Sequence, residues 1–352
     1  MSTPWVLHVD LDQFLASVEL RRRPDLVGLP VIVGGNGDPT EPRKVVTCAS
    51  YEAREFGVHA GMPLRVAARK CPDATFLPSD PAAYDEASDH VMSLLRDLGH
   101  PLEVWGWDEA YLGADVDDPV ALAERIRTTV AAETGLTCSV GISDNKQRAK
   151  VATGFGKPAG TYQLTDENWM AVMGDRPVDA LWGVGPKTSK RLAGLGITTV
   201  ADLAATDATL LTSTFGPTTG LWILLLAKGG GDAHVSAEPW IPRSRSHVIT
   251  FAADLTARED MDAAVVELAR QTLAEVTAAG RTVMRVAVTV RTKTFFTRTK
   301  IRKLPVAGND DGPIIDTALA LLDQFELDRP VRLLGVRLEL AMPEGAAVGE
   351  KA

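Results

Sequence analysis

The sequence predicts a multidomain protein that combines α/β and α+β parts: a mixed sheet with helices, a helical segment and a small α+β module. Three observations lead to this fold class. The chain has 352 residues, more than one compact core usually holds, so two to four domains are expected. Strand-like and helix-like patterns alternate over residues 1–166. A segment rich in alanine and leucine follows at about 166–234, and strand patterns dominate beyond it.

The first part of the chain is expected to pack helices on a mixed sheet. Short apolar runs predict strands at 5–9, 30–34, 103–107, 111–115 and 137–141. Helical spacings predict helices at 14–22, 64–70, 84–98, 120–133 and 146–154.

The helical segment contains a glycine-rich turn. Gly183 and Gly185 flank one apolar residue, and Pro186 suits the first position of a new helix. Such a turn exposes backbone N–H groups able to hold a phosphate, and Lys187 follows directly. This pattern resembles the helix-hairpin-helix element of sequence-independent DNA binders. The alternative is an ordinary turn between packed helices.

A basic, extended linker over 236–246, with Arg243 and Arg245, leads into the final module. There the patterns predict strand, helix, strand, strand, helix, strand, with strands at 247–251, 281–291 and 331–340 and helices at 261–279 and 314–325.

The formal net charge of −9 argues against a polyanionic partner, but the charge is unevenly distributed. Residues 281–303 hold eight cations and no acid: Arg281, Arg285, Arg291, Lys293, Arg298, Lys300, Arg302 and Lys303. Local potential attracts a polyanion, whatever the global sum. We expect a basic sheet face that contacts DNA phosphates without reading bases. The alternative is a solvated strand face.

Composition limits the cellular setting. The three cysteines, Cys48, Cys71 and Cys138, are odd in number and lack metal-ligand spacing, which is typical of reduced core thiols in a cytosolic protein. No apolar run approaches a membrane span, and the N-terminus has no secretion signal, so a cytoplasmic protein is expected. A monomer is also expected.

Three carboxylates carry the strongest chemical signal. Asp10 follows the apolar run of the first strand, while Asp108 and Glu109 lie between two strand-like runs. Like charges crowded at neighbouring strand ends are unfavourable unless cations neutralise them. Oxygen-only clusters favour Mg²⁺ or Mn²⁺, and two such ions support phosphoryl or nucleotidyl transfer. The alternative is that Asp10 is a turn residue and the Asp-Glu pair a solvated hairpin.

These motifs, in this order, resemble the Y-family DNA polymerases, and specifically the DNA polymerase IV (DinB) branch. The resemblance covers about residues 5–340 and rests on the motifs at 8–14, 51–58, 108–112, 139–146 and 157–160. It implies a right-hand-like arrangement with a ferredoxin-like palm at 1–11 and 77–166. Fingers are implied at 12–76, a thumb with the helix-hairpin-helix at 167–235, a linker at 236–242, a little finger at 243–341 and a flexible tail at 342–352.

The resemblance also implies the roles of individual residues. Asp10, Asp108 and Glu109, with the Leu11 carbonyl, match the ligands of two Mg²⁺ ions, for which Mn²⁺ can substitute. Tyr51, Arg54 and Lys157 match the positions that grip the triphosphate, although Tyr51 and Arg54 could instead simply cover a helix face. The full implied nucleotide-binding set is Gln13, Phe14, Leu15, Tyr51, Arg54 and Lys157. The implied DNA contacts are Gly183, Gly185, Lys187, Arg243, Arg245, Arg285, Arg291, Lys293, Arg298 and Lys300.

The activity implied is template-directed, low-fidelity DNA synthesis of the translesion or repair type, with primer–template DNA and a deoxynucleotide as substrates. One departure changes that expectation. The family usually has Tyr or Phe five residues after the first Asp, where the ring excludes a 2′-hydroxyl, but this chain has Leu15. A smaller wall excludes an added hydroxyl less well, so ribonucleotide use is expected. The alternative is that Leu15 packs differently and Phe14 still excludes the hydroxyl.

The C-terminal residues lack the tail motif through which relatives engage a sliding clamp, so clamp binding is not expected. Two other functions remain as alternatives. Nucleotide cyclases also place paired carboxylates on a ferredoxin-like sheet, but they need neither a phosphate-binding turn nor a basic C-terminal module. A non-catalytic DNA-binding protein would not need Asp10, Asp108 and Glu109 intact.

Overall fold

The fold is described from a computed structural model that covers residues 5–343. The strands within that range are β1 (Trp5–Leu11), β2 (Val31–Val33), β3 (Cys48–Ala49), β4 (Thr75–Leu77), β5 (Leu102–Val104), β6 (Glu109–Ala114), β7 (Cys138–Ser143), β8 (Thr161–Gln163), β9 (Ser244–Leu255), β10 (Val283–Thr292), β11 (Thr297–Lys303) and β12 (Val331–Leu340). The α-helices are α1 (Phe14–Arg22), α2 (Tyr51–Glu55), α3 (Leu64–Lys70), α4 (Pro81–Arg96), α5 (Pro119–Thr134), α6 (Lys146–Gly156), α7 (Asp166–Met173), α8 (Pro186–Ala193), α9 (Val200–Ala205), α10 (Ala208–Phe215), α11 (Pro217–Ala227), α12 (Arg258–Ala278) and α13 (Asp311–Leu322).

The chain divides into two compact units. The first comprises residues up to 40 and 44–239, and the second comprises 41–43 and residues from 240 onward. The division at 239 falls inside the predicted linker, 236–242. Most of the predicted tail, 342–352, lies outside the described residues.

A five-stranded mixed sheet forms the centre of the first unit, in the order β5-β6-β1-β7-β8. β1 lies between β6 and β7 and is antiparallel to both, whereas β8 is parallel to β7. Alternate apolar side chains of β1, β6 and β7 join α1, α4 and α5 in one buried core. This sheet with its helices confirms the α/β part of the predicted fold class.

Two smaller regions complete the first unit. A three-stranded sheet in the order β3-β2-β4 packs with α2 and α3 around its own apolar cluster. Helices α7 to α11 surround a third cluster that includes Leu192, Leu203 and Leu211. No helix in the described part of the chain is both long enough and apolar enough to cross a membrane.

The second unit is an α+β module. Its antiparallel sheet has the order β11-β10-β12-β9, and α12 and α13 cover one face of it. The element order is strand, helix, strand, strand, helix, strand, as predicted.

The predicted strand boundaries were wrong around the Asp-Glu pair. The strand predicted at 103–107 ends at Val104, and the next begins at Glu109, before the predicted 111. The reason is a tight connection, in which the backbone N–H groups of Trp105 and Gly106 both donate to the Glu109 carbonyl. Strands β3, β4 and β8 were missed because two or three residues are too few to show a period.

Candidate active site

The register of the central sheet brings two of the predicted carboxylates together. Asp10 near the end of β1 lies directly opposite Glu109, the first residue of β6. Oxygen atoms of these two side chains and one ring nitrogen of His8 all lie within 4.8 Å of one another. Asp10 and Glu109 are about a hundred residues apart in the sequence, and the antiparallel pairing of β1 with β6 brings them together.

Two lysines from α6 and its C-terminal end face the carboxylates. The Lys157 ammonium pairs with Asp10, and the Lys150 ammonium pairs with Glu109. His8 Nε2 lies 3.3 Å from Glu109 Oε2, while its Nδ1 lies 2.8 Å from the Thr153 hydroxyl. The hydrogen bond from His8, together with Lys150, lowers the pKa of Glu109 to about 2. Glu109 is therefore held ionised at neutral pH.

Asp108 is in a different electrostatic environment. Its carboxylate is not part of the 4.8 Å cluster, but burial and the negative charges of Asp10 and Glu109 raise its pKa. Its backbone carbonyl accepts a hydrogen bond of 2.8 Å from the Leu11 N–H, which fixes the turn beside β1. The ionised form of Asp108 is therefore less favourable than that of an exposed aspartate.

This donor set fits divalent cations. Carboxylate oxygens are the ligands that Mg²⁺ and Mn²⁺ prefer. The cluster already attracts two ammonium groups, yet burial together with the charges of Asp10 and Glu109 still raises the pKa of Asp108. A bound cation would relieve that repulsion.

A glycine allows α6 to reach the carboxylates. A Cβ added at Gly141 of β7 would lie 2.0 Å from the Ala149 carbonyl oxygen and 2.4 Å from the Thr153 backbone nitrogen, so no side chain fits there. The close approach lays α6 against β7 and β1. Lys150, Thr153 and Lys157 consequently face the ends of β1 and β6.

The predicted triphosphate residues lie beside the same sheet end, on the neighbouring segments. Tyr51 begins α2, and its N–H donates to the Gln13 side chain at 2.5 Å. The Arg54 guanidinium lies over the Tyr51 ring at 4.9 Å and donates to the Ala49 carbonyl at 2.9 Å. The described contacts hold Tyr51 and Arg54 together and fix Gln13 against them.

Phe14 and Leu15 are the first two residues of α1, and both are buried. Leu15 is 8% exposed and Phe14 is 3% exposed. The Phe14 ring packs edge-on against Tyr84 of α4, with centroids 6.5 Å apart. Phe14 is therefore committed to the core between α1 and α4.

A cavity of about 340 Å³ adjoins the carboxylates within the first unit. Asp10, Lys150 and Lys157 line one side, and Arg176 and Trp182 of the helical region line another. The Lys150 ammonium lies 5.8 Å from the centre of the Trp182 ring. The lining thus combines three cations, Lys150, Lys157 and Arg176, with two acids, Asp10 and Asp179.

The predicted glycine turn is present in the helical region. Gly183 has φ 99°, a conformation that favours glycine, and Gly185 is the N-cap of α8. Val184 between them is buried, while Lys187 is exposed. The start of α8 therefore presents backbone N–H groups and a lysine to solvent. Arg191 donates to the Thr214 carbonyl and covers Phe215, so it serves packing instead.

The register of the second sheet separates the predicted DNA contacts into two faces. Arg285 and Arg291 of β10 lie opposite Lys303 and Thr297 of β11, on the face away from the helices. The Thr289 and Thr299 hydroxyls hydrogen-bond across this face at 2.7 Å. This open face also holds Arg337 of β12, which lies outside the basic run 281–303.

Three of the predicted contacts lie on the helix-covered side. Arg298 and Lys300 are opposite Val290 and Val288, and Arg245 is opposite Leu338. The Lys300 ammonium donates to the Gln324 carbonyl beyond α13. The prediction of one common basic face was therefore wrong for Arg298 and Lys300, because side chains alternate along a strand and β11 pairs Lys300 with a core valine. Arg245, which was predicted in the linker, lies in β9. Arg243 and Lys293 lie outside the strands, before β9 and after β10, and are exposed.

Three residues of the site were not selected from the sequence. They are His8, Asp12 and Lys150. His8 and Asp12 lie within the first predicted motif, two residues from Asp10 on either side, so the alternation of β1 could have indicated them. Lys150 gives no comparable signal, because its position depends on how α6 packs.

The chain matches known families over most of its length. The impB/mucB/samB family matches residues 9–154, the IMS family HHH motif matches 166–197, and the impB/mucB/samB family C-terminal domain matches 242–349. It is 71% identical over 340 residues to DNA polymerase IV 2 of Mycobacterium tuberculosis (strain ATCC 25618 / H37Rv), covering 96% of this chain and 98% of that protein. It is 39% identical to DNA polymerase IV of Methanoculleus marisnigri, covering 95% of this chain and 94% of that one.

Solved structures of DNA polymerases have a similar fold. The Y-family DNA polymerase chimera Dbh-Dpo4(243-245)-Dbh matches with a TM-score of 0.84 at 26% identity, over 95% of this chain and 98% of that chain. The insertion ternary complex of Dbh DNA polymerase matches with a TM-score of 0.66 at 25% identity, over 96% and 99%.

Fold and site together define the class of Y-family DNA polymerases. Within it, the chain belongs to the DNA polymerase IV (DinB) family. The resemblance seen in the sequence is confirmed, and the activity is that of a DNA-directed DNA polymerase of the translesion type. The alternatives of a nucleotide cyclase and a non-catalytic DNA-binding protein are set aside.

Proposed function

We propose that this polymerase transfers nucleotides onto a primer 3′-hydroxyl by a two-metal mechanism at Asp10, Asp108 and Glu109, and that it accepts ribonucleotides as well as deoxynucleotides. The observation that carries the proposal is the cross-strand pair of Asp10 and Glu109, whose oxygens lie within 4.8 Å of each other and of His8. Asp108 adjoins this cluster and carries a raised pKa.

Asp10, Asp108, Glu109 and the Leu11 carbonyl would hold two Mg²⁺ ions, or Mn²⁺ in their place. When bound, the ions supply charge neutralisation and a lowered pKa at the attacking hydroxyl. Glu109 serves the primer side, since His8 and Lys150 keep it ionised. Asp10 lies between the Glu109 and Lys157 side chains and can serve both sides of the site.

The cationic side chains bind the triphosphate. A departing pyrophosphate gathers negative charge, and Arg54 offers a forked donor while Lys157 offers a compact cation. The Tyr51 hydroxyl donates to Asp12 before a nucleotide binds and can then donate to a phosphate oxygen instead. Lys157 lies on the Asp10 carboxylate, so the lysine that binds phosphate adjoins the group that holds metal. Catalysis is mainly positioning and electrostatic stabilisation.

The sugar pocket is expected to tolerate a 2′-hydroxyl. Leu15 occupies the position of the usual aromatic side chain, and Phe14 is packed against Tyr84. Phe14 would have to leave the core to replace the missing ring. A wall that does not fill its space excludes an added hydroxyl poorly.

DNA is held through its backbone by two surfaces. One is the start of α8 with Gly183, Gly185 and Lys187, where N–H groups can bind a phosphate. The other is the open face of the second unit, with Arg285 and Arg291. We assign the palm to 1–11 and 77–166, the fingers to 12–76, the thumb to 167–235 and the little finger to 243–341. A cytoplasmic monomer without clamp binding remains our expectation, and the C-terminal residues on which the clamp prediction depends, 344–352, lie outside the described residues.

Primer extension tests the proposed reaction. A primed template is given deoxynucleotides alone or ribonucleotides alone, each with Mg²⁺, with Mn²⁺ or with a chelator. We expect extension from both nucleotide pools in either metal and none with the chelator, because the carboxylates need a divalent cation to act. Extension from deoxynucleotides only would contradict the ribonucleotide proposal. Activity that persists in the chelator would contradict the metal mechanism.

The two faces of the second sheet give a matched pair of variants. Arg291→Ala on the open face is expected to weaken primer–template binding about three- to tenfold and to lower the slope of log Kd against log salt by about one. Lys300→Ala on the helix side is expected to leave both values unchanged, because Lys300 contacts Gln324. Binding is measured by fluorescence anisotropy at several salt concentrations. Equal effects of the two variants would contradict the assignment of the open face to DNA.

A further inference from the structure

Asp12 is a buried carboxylate that accepts hydrogen bonds from three separate parts of the first unit. It is 1% exposed. Its Oδ1 accepts from the Ser139 hydroxyl at 2.8 Å and from the Tyr51 hydroxyl at 3.1 Å. Its Oδ2 accepts from the Ala159 backbone N–H at 2.8 Å. Burial of a carboxylate is costly, and hydrogen bonds to the charged form offset that cost.

The three donors come from different elements. Ser139 belongs to β7 of the central sheet, and Tyr51 begins α2 of the neighbouring segment. Ala159 follows the Lys157-Pro158 pair and has φ 48°, which is unusual for a residue with a side chain. The hydrogen bond to Asp12 is one of the contacts that hold this backbone conformation.

The segment around Asp12 holds Tyr51 at both ends. Gln13, the next residue, accepts from the Tyr51 N–H, and Asp12 accepts from the Tyr51 hydroxyl. The Asp12 N–H in turn donates to the Thr137 carbonyl at 2.9 Å, which attaches this segment to the central sheet. A shift of Asp12 would therefore move Tyr51 and the loop after Lys157 together.

We propose that Asp12 is a positioning residue that sets Tyr51 and Lys157, the two groups assigned to the triphosphate, at a fixed distance from β7. The inference rests on the proposed triphosphate site. Asp12 does not touch the nucleotide. It fixes the Tyr51 hydroxyl directly and Lys157 through the backbone two residues later, so that the site is arranged before the nucleotide binds.

Asp12→Asn is the sharpest test. The amide keeps the size of the side chain but presents only one acceptor oxygen and adds an NH₂ group. That NH₂ must face either the Ala159 N–H or the two hydroxyl donors. If the NH₂ faces the Ala159 N–H, two donors oppose each other and the link to the Lys157 loop is lost. If it faces the hydroxyls, the Ser139 and Tyr51 oxygens must accept instead of donate, and the bonds that the carboxylate charge strengthened become weaker.

We expect Asp12→Asn to raise the KM for the incoming deoxynucleotide about tenfold, the equivalent of one hydrogen bond to a charged group. The kcat should fall less, and the Kd for primer–template DNA should not change. In a Tyr51→Phe background, which already lacks one link, the same substitution should raise KM by a smaller factor. The measurements are steady-state incorporation of one nucleotide and anisotropy of labelled DNA.

Asp118→Ala is the control, because it removes an aspartate and the hydrogen bond that its carboxylate accepts. Asp118 is an N-cap aspartate of α5, where its side chain accepts from the Ala121 N–H, and it lies outside the site. It should lower the Tm without changing KM. If Asp12→Asn also changes only the Tm, Asp12 is merely structural and the proposal fails.

Two further variants keep the test decisive. If Asp12→Asn does not fold, Ser139→Ala can be used, because it keeps the Asp12 carboxylate and removes one of its donors. Ser139→Ala should raise KM for the deoxynucleotide about threefold, since Asp12 is held less firmly. An unchanged KM would overturn the proposal. Lys157→Ala separates the two claims. If Lys157→Ala leaves KM unchanged, the triphosphate assignment itself is wrong. If Lys157→Ala raises KM and Asp12→Asn does not, only the positioning role of Asp12 is wrong.

Discussion

Replacing Asp108 with alanine is expected to lower primer extension about a hundred- to a thousandfold, the loss typical of removing a group that stabilises transition-state charge. Burial and the charges of Asp10 and Glu109 raise the pKa of this carboxylate, and a bound cation would favour its ionised form. Incorporation of a single nucleotide in Mg²⁺, measured under single-turnover conditions, gives the loss directly.

The control is Asp117→Ala, an exposed aspartate beyond the end of β6. It changes the net charge by the same amount and should keep full activity. Both variants should bind primer–template DNA as the wild type does. An Asp108→Ala variant that retains more than about a tenth of wild-type activity would contradict the assignment of Asp108 to the metal site.

The same carboxylate gives a prediction for stability. Burial and two negative neighbours raise the pKa of Asp108, so its ionised form destabilises the folded state at any pH above that raised pKa. Asp108→Asn should therefore raise the Tm by a few degrees at pH 7 in metal-free buffer, and the gain should vanish as the pH falls below the pKa of an ordinary aspartate. Added Mg²⁺ should stabilise the wild type more than Asp108→Asn.

The second large effect is expected at Leu15. Leu15→Tyr should lower kcat/KM for ribonucleotides about a hundredfold while changing kcat/KM for deoxynucleotides much less. The tyrosine ring would occupy the space beside the sugar C2′ that leucine leaves open. Single-nucleotide incorporation with matched ribo- and deoxynucleotides gives the ratio for each protein.

Two variants separate a specific ring effect from a general disturbance. Leu15→Ile keeps the volume of this buried side chain and should retain wild-type ribonucleotide use. Phe14→Leu tests the alternative barrier, and we expect it to lower the Tm through lost packing on Tyr84 without changing the sugar ratio. Strong ribonucleotide rejection by both the wild type and Leu15→Tyr would defeat the proposal.

The sequence allowed much of the fold to be predicted, because local patterns record local structure. Apolar alternation marked β1 and β7, and helical spacing marked α5 and α12. The tight turn after Val104 and the short strand β8 escaped prediction, since both depend on partners distant in the sequence. Motif order was sufficient to identify the family, because each motif occupies a fixed position relative to the others.

By itself, the sequence determined which chemical groups are available for the site: the carboxylates at 10, 108 and 109, the glycine turn at 183–185 and a leucine where an aromatic ring is usual. Tertiary structure decided which of them meet. Strand pairing placed Glu109 opposite Asp10, the packing of α6 on Gly141 added Lys150, and sheet register moved Lys300 away from Arg291. The physical reason is that side chains alternate along strands and helices pack where space allows, so the neighbours of a residue depend on pairing and on packing that no local pattern records.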